Sequence, residues 1–365
     1  MVRKILTTLV IILGLIVLYL LLWPVPIEPV AWQAPPNPGY TGPFAPNDRL
    51  KGVETLPIGV DHGPEAIALD AQGHIYAATH EGHIVRLQAD GSNPENWVET
   101  GGRPLGIKFD NKNNLIVADA FRGLLKITPD GRIAVLATEA DRTPILYADD
   151  LDVAADGKIY FSDASTKFGA KLWGGTYEAS LLDILEHGGH GRLLVYDPAT
   201  GRATTLLDGL NFANGVAVSP DQTYVLVNET GSYRVLRYWI AGPRKGQTEP
   251  LVEQLPGFPD NISVGLDGRF WVALISPRNK LVDRLSGRPF LRKVVQRFPG
   301  FMRPKAVFYG HIMAIDGTGR VLLNLQNPDG GFRLNTSVTE AKDYLYIGSL
   351  VMPAIGRLSK TKAGL

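Results

Sequence analysis

The chain has 365 residues and no cysteine, and its 37 basic and 36 acidic side chains leave a formal net charge of +1. The near balance of charge argues against nucleic-acid binding, and the lack of cysteine excludes disulfides, thiolate metal sites and a cysteine nucleophile. The 40 glycines and 26 prolines, set among many short apolar runs, are typical of turn-rich β structure.

An uncharged apolar run, Ile5–Trp23, follows Arg3 and Lys4 at the N-terminus. It is close to the ~20 residues that a bilayer-spanning helix needs. The run lacks an Ala-x-Ala cleavage site, which favours an uncleaved signal anchor over a cleaved secretory signal. Because the basic residues precede the run, residues 1–4 are predicted to stay cytoplasmic and the rest to be exported, to a periplasm, an organelle lumen or the cell exterior. Residues 24–48, rich in Pro, Gly and Asn, predict an extended tether.

From residue 49 the chain repeats short strands and polar turns with a period of roughly 40–50 residues, which is typical of propeller blades. A single blade cannot bury both of its faces, so the blades must stack radially. Residues 50–56 are predicted to supply the fourth strand of the last unit and to close the ring. The sequence therefore predicts an all-β, six-bladed β-propeller over residues 49–365, preceded by one transmembrane helix. A β-sandwich with a second domain explains the period less well.

Two insertions interrupt the repeat, at residues 164–190 in blade three and at about 277–308 in blade five. Both leave from the same strand-to-strand connection of their blades, so they are predicted to project from one face of the ring. Within the second insertion, Lys280–Leu285 and Phe290–Val295 have helical spacing. The insertions either roof a pocket or, through apolar side chains interleaved with basic ones, rest on a membrane surface.

Residues with oxygen-bearing side chains lie at the start of five of the six predicted innermost strands. In a propeller these strands converge on the central channel. These residues are Glu65, Asp149, Asn214, Asp260 with Asn261, and Glu340, while Leu105 takes this place in blade two. A ring of carboxylates is costly unless a cation neutralises it or protons are shared. All-oxygen ligands suit a hard cation, calcium first and magnesium second, and the lack of His and Cys disfavours zinc. Alternatively these residues only cap turns, although that explains their recurrence at equivalent repeat positions less well.

Three motifs resemble the strictosidine-synthase-like family, above all its adipocyte plasma membrane-associated type. They are Gly191–Asp197 (Gly-Arg-Leu-Leu-Val-Tyr-Asp), Phe212–Val216 (Phe-Ala-Asn-Gly-Val) and Pro256–Ile262 (Pro-Gly-Phe-Pro-Asp-Asn-Ile). The resemblance covers almost the whole chain, including the N-terminal anchor. It places the chain in the gluconolactonase–paraoxonase superfamily of six-bladed propellers, whose hydrolytic members carry a catalytic calcium in the central tunnel.

The resemblance implies that Glu65, Asp149, Asn214 and Asp260 hold this calcium, with Asn261 as a further candidate ligand. Asp149 replaces the Asn usual at its position, which makes the site more negative. Leu105 stands where paraoxonases carry a catalytic His, which argues against a His dyad of that kind. Glu340 matches the acid/base glutamate of true strictosidine synthases. Those enzymes do not resemble metal-binding members at the position of Glu65, where this chain keeps a carboxylate, so the resemblance supports the synthase reaction less than hydrolysis.

The favoured function is a calcium-dependent esterase or lactonase, in which the metal polarises the carbonyl and Asp260 or Glu340 activates water. One alternative is a membrane-tethered propeller without catalysis, in which the metal is structural. Another is an amine–aldehyde condensing enzyme that uses Glu340 as its acid/base. The predicted partners are a small-molecule ester or lactone and, through residues 5–23, the membrane.

Overall fold

Six four-stranded antiparallel sheets form a ring in the computed structural model, which describes residues 1–365. Blades one to three comprise β2–β5 (Ile67–Leu69, Ile75–Ala78, His83–Leu87, Glu95–Glu99), β6–β9 (Pro104–Phe109, Leu115–Asp119, Gly123–Ile127, Ile133–Ala137) and β12–β15 (Ala148–Val153, Ile159–Asp163, Gly191–Asp197, Arg202–Leu210). Blades four and five comprise β16–β19 (Ala213–Val218, Tyr224–Glu229, Arg234–Trp239, Thr248–Val252) and β20–β23 (Gly257–Val264, Phe270–Pro277, Gly310–Ile315, Val321–Asn327). A short hairpin, β10 and β11 (Glu139–Ala140 and Thr143–Pro144), precedes blade three. The predicted six-bladed propeller is confirmed.

The last blade joins the two ends of the propeller. It contains β24 (Val338–Glu340), β25 (Tyr344–Ile347), β26 (Ala354–Ser359) and, as its outer strand, β1 (Glu54–Pro57) from the start of the ring. Strand β1 pairs antiparallel with β26, so that Glu54 lies opposite Arg357 and Pro57 opposite Ala354. The predicted ring closure is therefore confirmed, although the strand begins four residues later and ends one residue later than the predicted range of 50–56.

The core lies between the blades. Six apolar clusters each combine side chains of two neighbouring blades, so one cluster fills every gap around the ring. The second strands carry continuous apolar runs, and β3 and β7 are buried at every residue. Such runs are expected where both faces of a strand are covered. This stacking fixes the innermost strands around a common channel.

Both insertions lie over one end of the channel. The first contains α2 (Thr176–Glu186), and the second contains α3 (Lys280–Arg284) and α4 (Pro289–Arg297). Arg292 of α4, which is only 1% exposed, donates hydrogen bonds from Nη1 to the carbonyl oxygens of Leu185 (2.9 Å) and Glu186 (3.2 Å). An arginine on the last carbonyls of a helix favours that helix end. The two insertions therefore form one roof, which confirms that they project from the same face.

The N-terminal segment lies outside the ring of blades and contacts the roof. Helix α1 (Val2–Leu22) is long and apolar enough to cross a membrane, and none of its residues is buried. The following segment, residues 24–48, is extended but packed, because Ile27 and Phe44 are buried and Trp32 donates its N–H to the carbonyl of Ser286. It therefore runs along the roof as a strap. A final short helix, α5 (Lys360–Ala363), ends the chain.

Candidate functional site

The innermost strands of blades two to five each carry a β-bulge at the same place. The register shifts lie between Pro104 and Ile107, Ala148 and Leu151, Ala213 and Val216, and Pro259 and Ile262. In blade order, the bulges contain the predicted channel residues Leu105, Asp149, Asn214, and Asp260 with Asn261. A bulge bends its strand and re-aims a side chain. Glu65 occupies the corresponding place in blade one, two residues before the paired residue Ile67.

These residues meet in a cavity of about 390 Å³ at the roofed end of the channel, called here the inner cavity. Its wall includes four of the five predicted oxygen-bearing ligands and the predicted apolar residue: Glu65, Asp149, Asn214, Asp260 and Leu105. Apolar side chains of the roof, such as Leu181 and Leu185 of α2 and Val282 of α3, cover them. The arrangement places a small polar group of side chains in an otherwise apolar pocket, which is the usual character of a small-molecule site.

The carboxylates of the inner cavity are held away from water and close enough to repel one another. Burial, followed by the charge of Glu65, raises the pKa of Asp149 well above its usual value. The same two causes, with the charge of Asp149 added, raise the pKa of Asp260 well above its usual value. Burial also raises the pKa of Glu65, although Arg103 opposes the rise. A bound cation would relieve this repulsion.

Two features of the cavity fit a divalent cation with oxygen ligands. The Asn214 Oδ1 atom is buried and has no hydrogen-bond partner, which leaves one acceptor free. The formal charge of Glu65, Asp149, Asp260 and the adjacent Arg103 is −2, which a divalent cation neutralises. No three His, Cys, Asp or Glu side chains form a ready-made metal-binding group, and repulsion between bare carboxylates opposes their convergence. The donor set fits calcium or magnesium.

Asn261 lies beside this group rather than in the cavity wall. It is the second residue of the blade-five bulge, and its backbone N–H donates to the carbonyl of Thr336 at 2.9 Å. Both polar atoms of its side-chain amide are buried without a hydrogen-bond partner. Since unpaired buried amides are rare, Asn261 remains available as a candidate ligand adjacent to Asp260.

Glu340 is not among the residues that line the inner cavity. In blade six Val338 pairs with Ile347, as Ile67 pairs with Ala77 in blade one. Thr336, two residues before Val338, therefore holds the position equivalent to Glu65. This register corrects the prediction that Glu340 leads the innermost strand of blade six. Counting back from the first paired apolar residue of each blade would have revealed this register.

The carboxylate of Glu340 has structural partners instead. Its Oε2 accepts a hydrogen bond from Trp271 Nε1 at 2.8 Å, and its Oε1 forms an ion pair with Lys360 Nζ at 2.6 Å. Burial acts to raise the pKa of Glu340, but Lys360 and Trp271 outweigh it and hold that pKa below its usual value. The contacts attach helix α5 to the propeller.

Arg103, which lies just before the blade-two bulge, was not predicted from the sequence. Its Nη2 donates to Glu65 Oε2 at 3.2 Å, and its Nη1 donates to the carbonyl oxygens of Thr79 and Pro104, each at 2.9 Å. The Arg103 side chain is 3% exposed. An arginine just before a strand is too common to indicate such a contact. In addition, Arg103 and Glu65 belong to different blades and come together only in the folded ring.

Further along the channel, two acidic side chains of blade three were also overlooked. Asp150 Oδ2 accepts a hydrogen bond from the Val216 N–H, and Asp152 Oδ2 accepts one from the Val218 N–H, both at 2.9 Å. Asp152 also forms an ion pair with Lys108 at 3.2 Å. Burial raises the pKa of Asp150 to about 7. These contacts connect blade three with blades two and four and place no additional carboxylate in the inner cavity wall.

Comparison with known proteins agrees with this architecture. Residues 149–243 match the family model described as strictosidine synthase, and residues 42–87 match the one described as strictosidine synthase-like, N-terminal. The chain is 34% identical over 362 residues to the adipocyte plasma membrane-associated protein of Rattus norvegicus, covering 92% of this chain and 93% of that protein. It is 37% identical over 330 residues to the protein Strictosidine synthase-like 4 of Arabidopsis thaliana, covering 87% of this chain and 84% of that protein.

Solved structures of lower identity share the fold. A gluconolactonase from Xanthomonas campestris superposes with a TM-score of 0.62 at 18% identity, covering 90% of this chain and 99% of that one. Regucalcin from Agrobacterium tumefaciens, described as a calcium-binding protein, superposes with a TM-score of 0.56 at 15% identity, covering 83% and 90% of the two chains. The chain thus shares the propeller fold of these two structures, and it belongs to the strictosidine synthase-like family together with the adipocyte plasma membrane-associated protein.

Proposed function

We propose that this protein is a membrane-anchored hydrolase of carboxylic esters or lactones that requires a divalent cation, calcium first and magnesium second. The observation that carries the proposal is the inner cavity, where three carboxylates and one amide meet beneath an apolar roof. The fold shared with a gluconolactonase and with a calcium-binding regucalcin supports it.

Glu65, Asp149, Asn214 and Asp260 would hold the cation, and Asn261 is a further candidate ligand. When bound, a hard divalent cation supplies Lewis-acid polarisation of a carbonyl oxygen. The protein's own residues supply the remaining functions. The apolar side chains of Leu105, Phe212 and Leu185 line the same cavity and would exclude bulk water from the scissile bond.

We assign Asp260 as the general base that takes the proton of the attacking water. It lines the inner cavity, is 4% exposed and has two carboxylate oxygens, so one can act as a ligand while the other receives a proton. Glu340 does not line the cavity, and its carboxylate already contacts Trp271 and Lys360. This geometry favours Asp260 over Glu340 for proton transfer.

The roof is also the part of the propeller that contacts the proposed anchor. Arg297 of α4 donates from Nη1 to the Leu20 carbonyl at 3.0 Å and from Nε to the Trp23 carbonyl at 2.5 Å, at the end of α1. Phe301, just after α4, is 80% exposed. We propose a single-pass protein with a cytoplasmic N-terminus and an exported propeller whose roof lies against the bilayer.

The test is hydrolysis of aryl esters and lactones by the detergent-solubilised full chain, before and after chelation. Activity is expected to vanish in chelator and to return with calcium. Asp260→Asn should abolish turnover even at saturating calcium, whereas Asp156→Asn, at an exposed turn, should leave it unchanged. Undiminished hydrolysis by the metal-free protein would overturn the mechanism.

A second candidate function is a propeller without catalysis, in which the cation only stabilises the ring. The free Oδ1 of Asn214 and the repulsion among the carboxylates favour cation binding whether or not turnover follows. In that case calcium would raise the melting temperature, by the amount expected for a ligand that binds only the folded state, while no ester or lactone would be hydrolysed.

A further inference from the structure

A second cavity of about 640 Å³, called here the outer cavity, lies beside the inner one. The two share part of their walls, including Thr176 and Tyr177 of α2 and Lys305 of the second insertion. The basic side chains on the outer wall are His62, His80, Arg103, Lys171 and Lys305, and the only acidic residue there is Glu178. The outer cavity is therefore a positively charged compartment adjoining the proposed reaction site.

The positive charge of the outer cavity is incompletely neutralised. Lys171 and Lys305 are exposed residues on its wall and take part in none of the ion pairs of the structure. Arg103 is 2% exposed, and its Nε has no hydrogen-bond partner. Burial, followed by the charge of Arg103, lowers the pKa of His80, so this imidazole favours its neutral form and the positive charge belongs to the two lysines and Arg103. The pocket thus holds cationic groups that an anion would neutralise.

The N-terminus of α2 contributes backbone donors to the same place. Helix α2 has 11 residues and begins after Gly175, which provides no side-chain cap. The N–H groups of Thr176, Tyr177 and Glu178 have no acceptor among the backbone hydrogen bonds, and all three residues line the outer cavity. An uncapped helix N-terminus favours negative charge through its free N–H groups and its dipole.

We infer that the outer cavity binds a carboxylate carried by the substrate at a position away from the scissile bond. This inference rests on the proposed function and narrows its substrate class to anionic esters or lactones. The apolar body of such a substrate would occupy the inner cavity, and its carboxylate would contact Lys171, Lys305 and the start of α2. Glu178 lies at the same helix end, so it would compete with the ligand, and its removal should strengthen binding.

The kinetic test uses the full chain in neutral phosphatidylcholine nanodiscs, so that no lipid charge contributes. Two aryl esters with the same leaving group are compared, one with a terminal carboxylate on its acyl chain and one with a terminal amide. The wild type should prefer the anionic ester in kcat/KM. In the double variant Lys171→Gln, Lys305→Gln, the ratio of kcat/KM for the anionic ester to kcat/KM for the amide ester should fall roughly five- to tenfold, as expected for partly exposed charge pairs. Lys245→Gln, at an exposed turn, is the control.

The binding test separates this inference from the proposed hydrolysis. Benzoate binding is measured by calorimetry in the presence of chelator, so that neither a metal nor turnover is involved. Benzoate should bind to the wild type, several-fold more weakly to the double variant, and more tightly to Glu178→Gln. If this pattern holds while neither ester is hydrolysed, the anion site stands and the hydrolase proposal fails.

Two results would overturn the anion site. One is equal hydrolysis of the two esters by the wild type, with no benzoate binding. The other is a double variant that keeps the ester preference and binds benzoate as the wild type does, but no longer binds anionic vesicles. In that case the two lysines would bind lipid headgroups rather than the substrate.

Discussion

Arg103 and Glu65 form a buried ion pair across two blades, with Nη2 of the arginine 3.2 Å from Oε2 of the glutamate. The pair removes part of the negative charge of the inner cavity before any metal binds. It also leaves a formal charge of −2 on the group formed with Asp149 and Asp260. The same arginine lines the outer cavity. Arg103 therefore links the charge of the proposed metal site to that of the proposed anion site.

Arg103→Gln should be strongly destabilising in metal-free protein. Removing one partner of a buried ion pair typically costs ~3–5 kcal/mol, because the other charge stays buried alone. Arg86→Gln, which breaks a more exposed pair with Glu95, should cost less than ~1 kcal/mol. The free energy of unfolding in detergent, with and without calcium, measures both effects. Calcium should reduce the deficit of Arg103→Gln, and equal stability losses for the two variants would contradict this interpretation.

The buried Asp183 of the roof helix should make stability depend on pH. Burial raises the pKa of Asp183 to about 7, although Ser165 donates a hydrogen bond to it at 2.6 Å. Because the folded-state pKa exceeds that of the unfolded chain, the group binds a proton more tightly when folded. The contribution of protonated Asp183 to the free energy of unfolding is complete at pH values below about 4 and is lost as the pH rises through about 7.

Asp183→Asn should therefore gain stability relative to the wild type as the pH rises. The gain is of the order of a few kcal/mol, since one pKa unit corresponds to about 1.4 kcal/mol. Melting temperatures of both proteins at pH 5.5 and pH 8.5 test this sign. Asp208→Asn, which changes an exposed residue in blade three, is the control and should shift little. A difference between wild type and Asp183→Asn that shrinks with rising pH would contradict the expected linkage.

The parts of the site that were predictable from sequence are those repeated once per blade. Asp149, Asn214 and Asp260 recur at one position of a period, so their convergence follows from radial stacking alone. Glu340 was misplaced because blade six carries Thr336 rather than an acidic or amide residue at the true position, and its acidic residue lies four residues further along the chain. Arg103 and the start of α2 belong to no repeat. Their positions depend on contacts between blades and on the fold of the insertion, which a single sequence does not encode as a pattern.

Glu340→Gln should lower stability without changing the chemistry of the inner cavity. The amide keeps the shape of the side chain and an acceptor for Trp271, but it loses the ion pair with Lys360. We expect a lower melting temperature and an unchanged kcat for ester hydrolysis per folded molecule. Trp271→Phe, which removes the same hydrogen bond from the other side, should likewise lower stability without changing kcat. If kcat fell by orders of magnitude in a folded Glu340→Gln protein, a catalytic role for Glu340 would be restored.

The strap between the membrane helix and the propeller should be necessary for stability, whereas the helix itself should not. Removing residues 1–23 deletes α1, which has no buried residue, and leaves Ile27 and Phe44 in the core. Removing residues 1–45 also deletes those two side chains, which are 0% and 7% exposed. Burial of a large apolar side chain contributes ~1.5–3 kcal/mol, so the longer truncation should melt several degrees lower than the shorter one. Ile27→Ala in the full chain isolates part of this effect and should cost ~2–5 kcal/mol. Equal melting temperatures for the two truncations would show that residues 24–45 are a passive tether, because the contacts of Ile27 and Phe44 would then contribute nothing to the folded propeller.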